Sequence, residues 1–378
     1  MKAKGNAISA ILPGLMICFA LMLLGIYVAD LLGVLFVNLG LLPAGHASPI
    51  SGIFVAILLG IMIRNTIGLH KLFQAGVAFS LKYVLRIGIV LLGLRLSIME
   101  ALKLGTWGLP LIIICIASGL VMTLYFTKKL GQSRRLGTLI ATGTGICGVT
   151  AIMAVSPVVK AKDNEISYAV ANITIFGLVG MLFYPYIANV FFGDDPVKVG
   201  LFLGTAIHDT AQVTGAALIF SQIYDLEKVI DVATVTKLTR NLFMIVVIPI
   251  VSYFFYKNGS KGTETQSLPR WYKLVPGFVI GFLLLACVRT IGDFTVANSE
   301  TAFGLLQPET WEKFHGSVSN LGSTYMLGLA MAGVGLSTDF KMFKGLGFKP
   351  FYIGLIAAIA VGIVSVTLIG LFGHLIII

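Results

Sequence analysis

"GTGICG" occupies residues 143–148, between "LGTLIAT" (136–142) and "VTAIMAVSPVV" (149–159). The six residues fit G-x-G-x-x-G, the dinucleotide-binding fingerprint, and Asp163 falls 20 residues after Gly143, the spacing of a ribose-binding acid. A nucleotide turn also needs a strand before it, a helix after it and a parallel sheet around it. Pro157 would interrupt that helix, and Asp163 sits in the charged run "KAKDNE". No strand–helix alternation surrounds the motif. What survives is independent of the nucleotide fold. Glycines allow a sharp backbone turn, and a helix starting after the turn favours negative charge. A plainer reading is close helix packing through small residues.

Composition moves the motif into a membrane. Hydrophobic residues are 57% of the 378 and charged residues 11%, against roughly 25% charged in a soluble domain. Residues 8–29, 104–127, 136–159, 166–193 and 274–288 carry no Asp, Glu, Lys, Arg or His. Runs of that length suit membrane-spanning helices. The strict apolar–polar alternation of a porin strand is missing. The chain reads as an all-α polytopic membrane protein of about 9–11 segments, forming a single membrane domain over 1–378. Its net charge of +11 is spread over short loops without interleaved aromatics, so nucleic acid is not expected as a partner. Cys18, Cys115, Cys147 and Cys287 lie in apolar segments without metal spacing, as reduced buried thiols. No metal or cofactor is expected.

Candidate spans are 8–29, 50–68, 74–99, 108–127, 165–191, 238–256, 272–289, 318–337 and 350–373. The first apolar run is too long for a signal peptide and reads as a retained helix. Lys2 and Lys4, the Arg64–Lys71 and Lys128–Arg135 loops, Lys257, Lys261, Arg270, Lys273, Lys341, Lys344 and Lys349 all fall on one side. By the positive-inside rule that side, and the N-terminus, is cytoplasmic. The acidic loop 290–317 then falls outside. Residues 136–159 have basic flanks at both ends, and 197–220 lie between "GDDP" and "SQIYDLE". Each is a re-entrant hairpin or a broken crossing, with hairpins favoured.

Placing 81–110 over 321–350 matches Leu81/Leu321, Gly88/Gly328, Gly93/Gly333, Leu96/Leu336, Ser97/Ser337, Gly105/Gly345 and Pro110/Pro350. Residues 54–68 over 278–292 match "TIG" with "TIG". Loop charge gives the two copies opposite orientations, which predicts inverted-repeat elements at 50–127 and 272–373. Secondary transporters are commonly built this way, with sites at helix breaks near the midplane. Breaks at that depth are tolerated where they are buried or line a cavity. Both 142–150, "TGTGICGVT", and 204–215, "GTAIHDTAQVTG", have the small polar composition of such breaks.

"GTGICGVTAI" (143–152), "SYAVANITIFG" (167–177), "HDTAQV" (208–213) and "KLTRN" (237–241), in that order, resemble the YeiH-type family of bacterial inner-membrane proteins. The resemblance runs from about Pro13 to Phe372 and is most specific from 137 to 241. It implies a transporter, nominally a sulfate exporter, distantly similar to the cation/proton antiporter and bile-acid transporter superfamily. In that superfamily two broken helices cross at the substrate site. Loop 290–317 is longer than the family pattern and lies away from these motifs.

The residues that carry chemistry cluster in the same motifs. Gly143, Thr144, Gly145 and Gly148 would present backbone dipoles to a substrate, with hydroxyls from Thr142 and Thr150. His208 and Asp209 are ionisable groups in mid-membrane, which marks them as functional. They would carry H+ or hold Na+, with Gln212 one turn on; the alternative is a structural tether. Lys237 and Arg240 share a helix face at i,i+3. They would attract an oxyanion, pair with Asp209, or snorkel to the interface. Asn172 and Thr174 would hydrogen-bond the broken stretch or line the path. Arg95 would snorkel or pair with Glu100.

The expectation is a secondary transporter of a small anion, worked by alternating access and coupled to H+ or Na+, in a bacterial inner membrane. A homodimer is open. A cation/proton exchanger with Asp209 as ion ligand is the first alternative. A channel, or a membrane enzyme (without HExxH, GxSxG or an acid pair to support it), ranks below.

Overall fold

The structure is a computed structural model that describes residues 2–39, 48, 50–193, 195–257, 275–343 and 348–376. The side chains of Lys2, Lys4 and Lys257, and all of Lys261, Arg270, Lys273 and Lys344, used above for orientation, lie outside the described residues. So does the start of the candidate span at 272. The described chain is helical throughout, with only a single isolated bridge, Ala302 to Leu306.

Six described helices are long and apolar enough to cross a membrane: Ser9–Asn38, Lys71–Arg95, Ile98–Lys129, Asp163–Phe192, Gly277–Ser299 and Phe348–Leu375. A seventh is the pair Lys228–Leu242 and Met244–Phe255, bent by 41°. The sequence suggested 9–11 segments. The difference comes from pieces that are helical but short or interrupted: Gly52–Thr66 and Pro196–Ala206 are apolar helices of 15 and 11 residues, and the candidate span 318–337 is a π turn at Leu321–Met326 followed by the 11-residue helix Leu327–Ser337. The acidic segment 290–317 is also largely helical rather than a loop. One helix continues to Ser299, and a second spans Pro308–Asn320, with the Trp311 indole packed against Gly292.

The chain divides into two compact units. The first comprises 1–101, 217–227 and 278–341. In it α1 (Lys2–Asn38), α2 (Gly52–Thr66) and α3 (Lys71–Phe79) pack through glycines. A Cβ on Gly14 would lie 2.3 Å from Phe73 O, one on Gly25 2.5 Å from Gly52 O, and one on Gly76 2.1 Å from Ile11 O. Small residues are how membrane helices approach this closely. After α3 comes a π-helical turn at Ser80–Val84, then α4 (Leu85–Leu91). A second π turn occupies Leu321–Met326. The second packs against α4 at Gly88, whose added Cβ would lie 3.2 Å from Gly322 O. Arg64 pairs with Asp339 at 2.9 Å, and Asn65 donates to Thr338 O at 2.9 Å, fixing the end of α2.

The second unit comprises 102–216, 228–277 and 342–378. Its frame is α5 (Ile98–Lys129) from Leu102 on, α6 (Arg134–Gly145), α7 (Val149–Val155), α8 (Asp163–Phe192), α9 (Pro196–Ala206), α10 (Thr210–Tyr224) as far as Ala216, α11 (Lys228–Leu242), α12 (Met244–Lys257) and the C-terminal helix Phe348–Phe372. Helices α6 and α8 start side by side, joined by Ser133 Oγ to Glu165 at 2.5 Å. They run parallel, so that Gly143 meets Ile173. Gly143 also meets Ile152 on α7, nine residues on, which requires the chain to double back. Residues 136–159 therefore fold back on themselves as a helical hairpin.

The second break behaves likewise, from the other end of α8. Helix α9 runs back along α8, with the Phe202 ring tilted against those of Phe192 and Tyr184, and Ile207 beside Gly180. Helix α11 runs parallel to α9, since Gly200 meets Val232 and Gly204 meets Thr236. Helix α10 starts on the far side of this second tip, at Thr210. The two hairpins enter from opposite ends of α8, and their tips meet beside its middle.

Candidate functional site

The first tip is made by glycine. Helix α6 ends at Gly145, Ile146 departs from helical geometry at φ −118°, ψ −91°, and Gly148 takes φ +68°, ψ −128°. That conformation is open to glycine and strained for other residues. The second tip contains no glycine. Ile207 is extended (φ −90°, ψ 140°), and Asp209 then starts α10 as its cap, Oδ2 accepting from Ala211 N at 3.0 Å. Asp209 presses on the first tip so closely that a Cβ on Gly148 would lie 2.9 Å from Oδ1.

Each hairpin offers one helix C-terminus, with carbonyls lacking intrahelical partners. Two cations of α11 hold both sets. Lys237 Nζ donates to Ile146 O at 3.1 Å, to Ile207 O at 3.0 Å and to His208 O. Arg240 donates through Nε to Gly145 O at 2.9 Å, through Nη2 to Thr144 O at 2.6 Å, and through Nη1 to Thr205 O at 2.5 Å. Both side chains are 0% exposed. The interface-seeking alternative for these residues is thereby corrected: neither reaches a surface. Direct oxyanion binding is also limited, because all three ammonium donors and most guanidinium donors already face carbonyls. A cation beside a helix C-terminus is also the favourable polarity.

The remaining expected residues distribute as follows. Thr142 is buried and bonds back to Thr138 O at 2.9 Å, within its own helix. Gly143 serves packing against Ile152 and Ile173. Thr144 and Gly145 contribute carbonyls, not amides. Thr150 is exposed at the start of α7. His208 is buried, with Nδ1 unpartnered among the described residues. Gln212 Nε2 donates to Thr174 O at 3.0 Å, its Oε1 lying against Gly177. Asn172 does not reach the broken stretch: it donates to Pro350 O at 3.0 Å and fits against Gly354, tying α8 to the C-terminal helix. Thr174 bonds Val170 O with its hydroxyl and meets the site only through its carbonyl. Arg95 pairs with Glu227 at 2.8 Å, and Glu100 accepts from Ser97 N at 2.9 Å. The thiols of Cys18, Cys115 and Cys147 are buried and free, and that of Cys287 is half-buried and free.

Sequence reasoning missed Asn241, which donates to Thr210 Oγ1 at 3.2 Å, although it lies one turn past Lys237 in "KLTRN". It also missed the contact between Cys147 Sγ and Met244 Sδ at 3.1 Å, just past the bend that ends α11. Asn241 was accessible from the i,i+4 spacing; the Met244 contact had no signal in the sequence.

Fold and site together define a polytopic α-helical membrane protein in which two opposed hairpins meet at a buried, charge-compensated junction. A family model described as "Conserved hypothetical protein 698" matches residues 13–354. A UPF0324 membrane protein of Streptococcus agalactiae serotype V is 30% identical over 366 residues, covering 96% of this chain and 98% of the relative. Similar proteins occur in Bacillus anthracis (33% identity; 85% of this chain, 87% of the relative) and in Streptococcus pyogenes serotype M18 (31%; 94% and 96%). The chain belongs to this UPF0324 membrane protein family, which is the YeiH-type family its motifs resemble.

Proposed function

We propose that this protein is a secondary active transporter of a small anion, working by alternating access in a bacterial inner membrane with its N-terminus inside. The observation that carries the reading is the position of the Asp209 carboxylate. Its Oδ2 accepts the backbone N–H of Ala211 at 3.0 Å, and its Oδ1 lies against Gly148 of the other tip, where the hairpins meet. Oxygens that a Na+ ion would need, at Ile146, Ile207, His208, Thr144, Gly145 and Thr205, already face Lys237 and Arg240. Ligands for a hard cation are oxygens, so the geometry favours an anion with H+ coupling over a sodium exchanger. A protonated Asp209 releases its donor, and a cargo anion takes it with the cationic field of Lys237 and Arg240 behind. His208, next in the chain, is the second titratable group at the junction. The matched π turns at 80–84 and 321–326 support the inverted repeat that such a mechanism uses.

The test is flux of sulfate and other small oxyanions into proteoliposomes under an imposed pH gradient. Wild-type flux should follow the proton gradient. Asp209→Asn should abolish that dependence while the protein still purifies as a folded species. Flux in Asp209→Asn that follows the gradient as before would sink the coupling role. Na+-dependent thermal stabilisation of wild type that is lost in Asp209→Asn would favour the cation exchanger instead.

A further inference from the structure

The second unit carries a concavity of about 1020 Å³ away from the hairpin tips, between the last turns of α5, the first turn of α6 and the end of α12. Ligand pockets run to roughly 1,000 Å³. Its wall is apolar: Leu120, Val121, Leu124, Ile250 and Phe254 line it. Val121, Ile250 and Phe254 are themselves exposed, as side chains that face acyl chains are. Its rim is basic and polar, formed by Lys128, Gln132 and Arg134. An apolar trough ending in a cationic rim at the end of a membrane-spanning helix matches the shape and charge of a phospholipid.

Three further features single out an acidic phosphate. Arg134 donates to Phe254 O at 2.7 Å and stacks on the Phe255 ring at 4.9 Å, which orients the guanidinium and leaves other donors of its fork. Among the described residues no carboxylate pairs with Arg134 or Lys128; Glu165 accepts from Ser133 Oγ and from Lys162 N. Helix α6 begins with Arg134 and Arg135, has no acidic residue in its first turn, and its preceding Ser133 makes no side-chain cap. Two cations at the positive end of a helix dipole are unfavourable on their own. A phosphate there compensates both.

We propose that this groove is a binding site for an acidic glycerophospholipid. Arg134 and Lys128 hold the phosphate over the start of α6, and an acyl chain lies along Leu120, Leu124 and Ile250. The lipid then braces the base of the first hairpin. Basic residues at the cytoplasmic membrane face draw anionic headgroups in this way.

The experiment is thermal melting of the full-length protein in detergent with added phosphatidylglycerol, phosphatidylcholine or inorganic phosphate. Phosphatidylglycerol should raise Tm by several degrees, and the other two should not. The double variant Lys128→Gln/Arg134→Gln should lose the rise, while Lys82→Gln, at an exposed lysine of the first unit, should keep it. An equal rise with phosphatidylcholine, an equal rise with phosphate alone, or a double variant that still responds overturns the proposal. If the double variant does not fold, Leu124→Trp in the otherwise native chain decides. Its fluorescence should be quenched more by brominated phosphatidylglycerol than by brominated phosphatidylcholine, and equal quenching overturns the site.

Discussion

The two hairpins of the second unit reach the same place by different chemistry. The first turns on glycine: Gly148 holds a left-handed φ of +68° with Asp209 against it. The second turns on a cap: Asp209 receives the N–H of Ala211, and no glycine occupies its tip. Their helix C-termini are nevertheless held by the same pair, Lys237 and Arg240. A backbone break in a membrane needs a conformation that permits it and partners for the groups it frees. The hairpins differ in the first requirement and share the second. Substitutions at the shared cations should therefore damage both hairpins, and substitutions at the turns only one.

The largest effect is expected at Arg240. Arg240→Ala would strand the carbonyls of Thr144, Gly145 and Thr205, each left unpaired at a cost of about 1–3 kcal/mol. Against a total stability of about 5–15 kcal/mol, little folded protein should be recovered by size-exclusion chromatography. Arg240→Lys should recover part of it. Normal yield and melting of Arg240→Ala would show that water replaces the guanidinium without loss, breaking the idea of a shared latch.

Gly148→Ala should come next. A non-glycine residue at that φ and ψ carries about 1–3 kcal/mol of strain, and its Cβ would also press on Asp209 Oδ1. Tm should fall by several degrees, and flux should fall with it. If alanine is tolerated, the first hairpin does not depend on glycine and the contrast between the hairpins collapses.

The smallest effect on stability is expected at Asp209. Asparagine caps a helix about as well as aspartate, whereas alanine loses about 0.5–2 kcal/mol. Asp209→Asn should melt within about a degree of wild type, while Asp209→Ala should melt lower. Equal destabilisation by both would mean that the negative charge, rather than the cap, holds the second tip. That outcome would sharpen the comparison by making charge the common element of both hairpins.

Much of this was legible beforehand because membranes restrict the options. Charge-free runs of more than 20 residues, as at 8–29 and 166–193, leave helices as the way to satisfy the backbone. "GTGICG" and "HDTAQ" announced breaks because small and ionisable residues are costly or conspicuous inside such runs. The basic flanks of 136–159 favoured a hairpin, and Gly143 lies against Ile152, so the chain folds back there. Less legible were the roles of side chains whose partners are backbone carbonyls. Lys237 and Arg240 advertise charge in sequence, but nothing in "KLTRN" says that six carbonyls from two distant hairpins converge on them. Asn172, polar and mid-span, pointed to the site, yet its partner came from Pro350, 178 residues away.

The sequence by itself determined the solvent, the secondary structure and the two positions where the chain must break. Each follows from composition or from the allowed backbone of a few residues. Tertiary structure alone decided that the breaks meet tip to tip, that the cations close helix ends, and that Asp209 caps the second tip against Gly148. Those are properties of groups distant in the chain. Carbonyls and amides carry no residue identity, so their partners become visible only once the helices are packed.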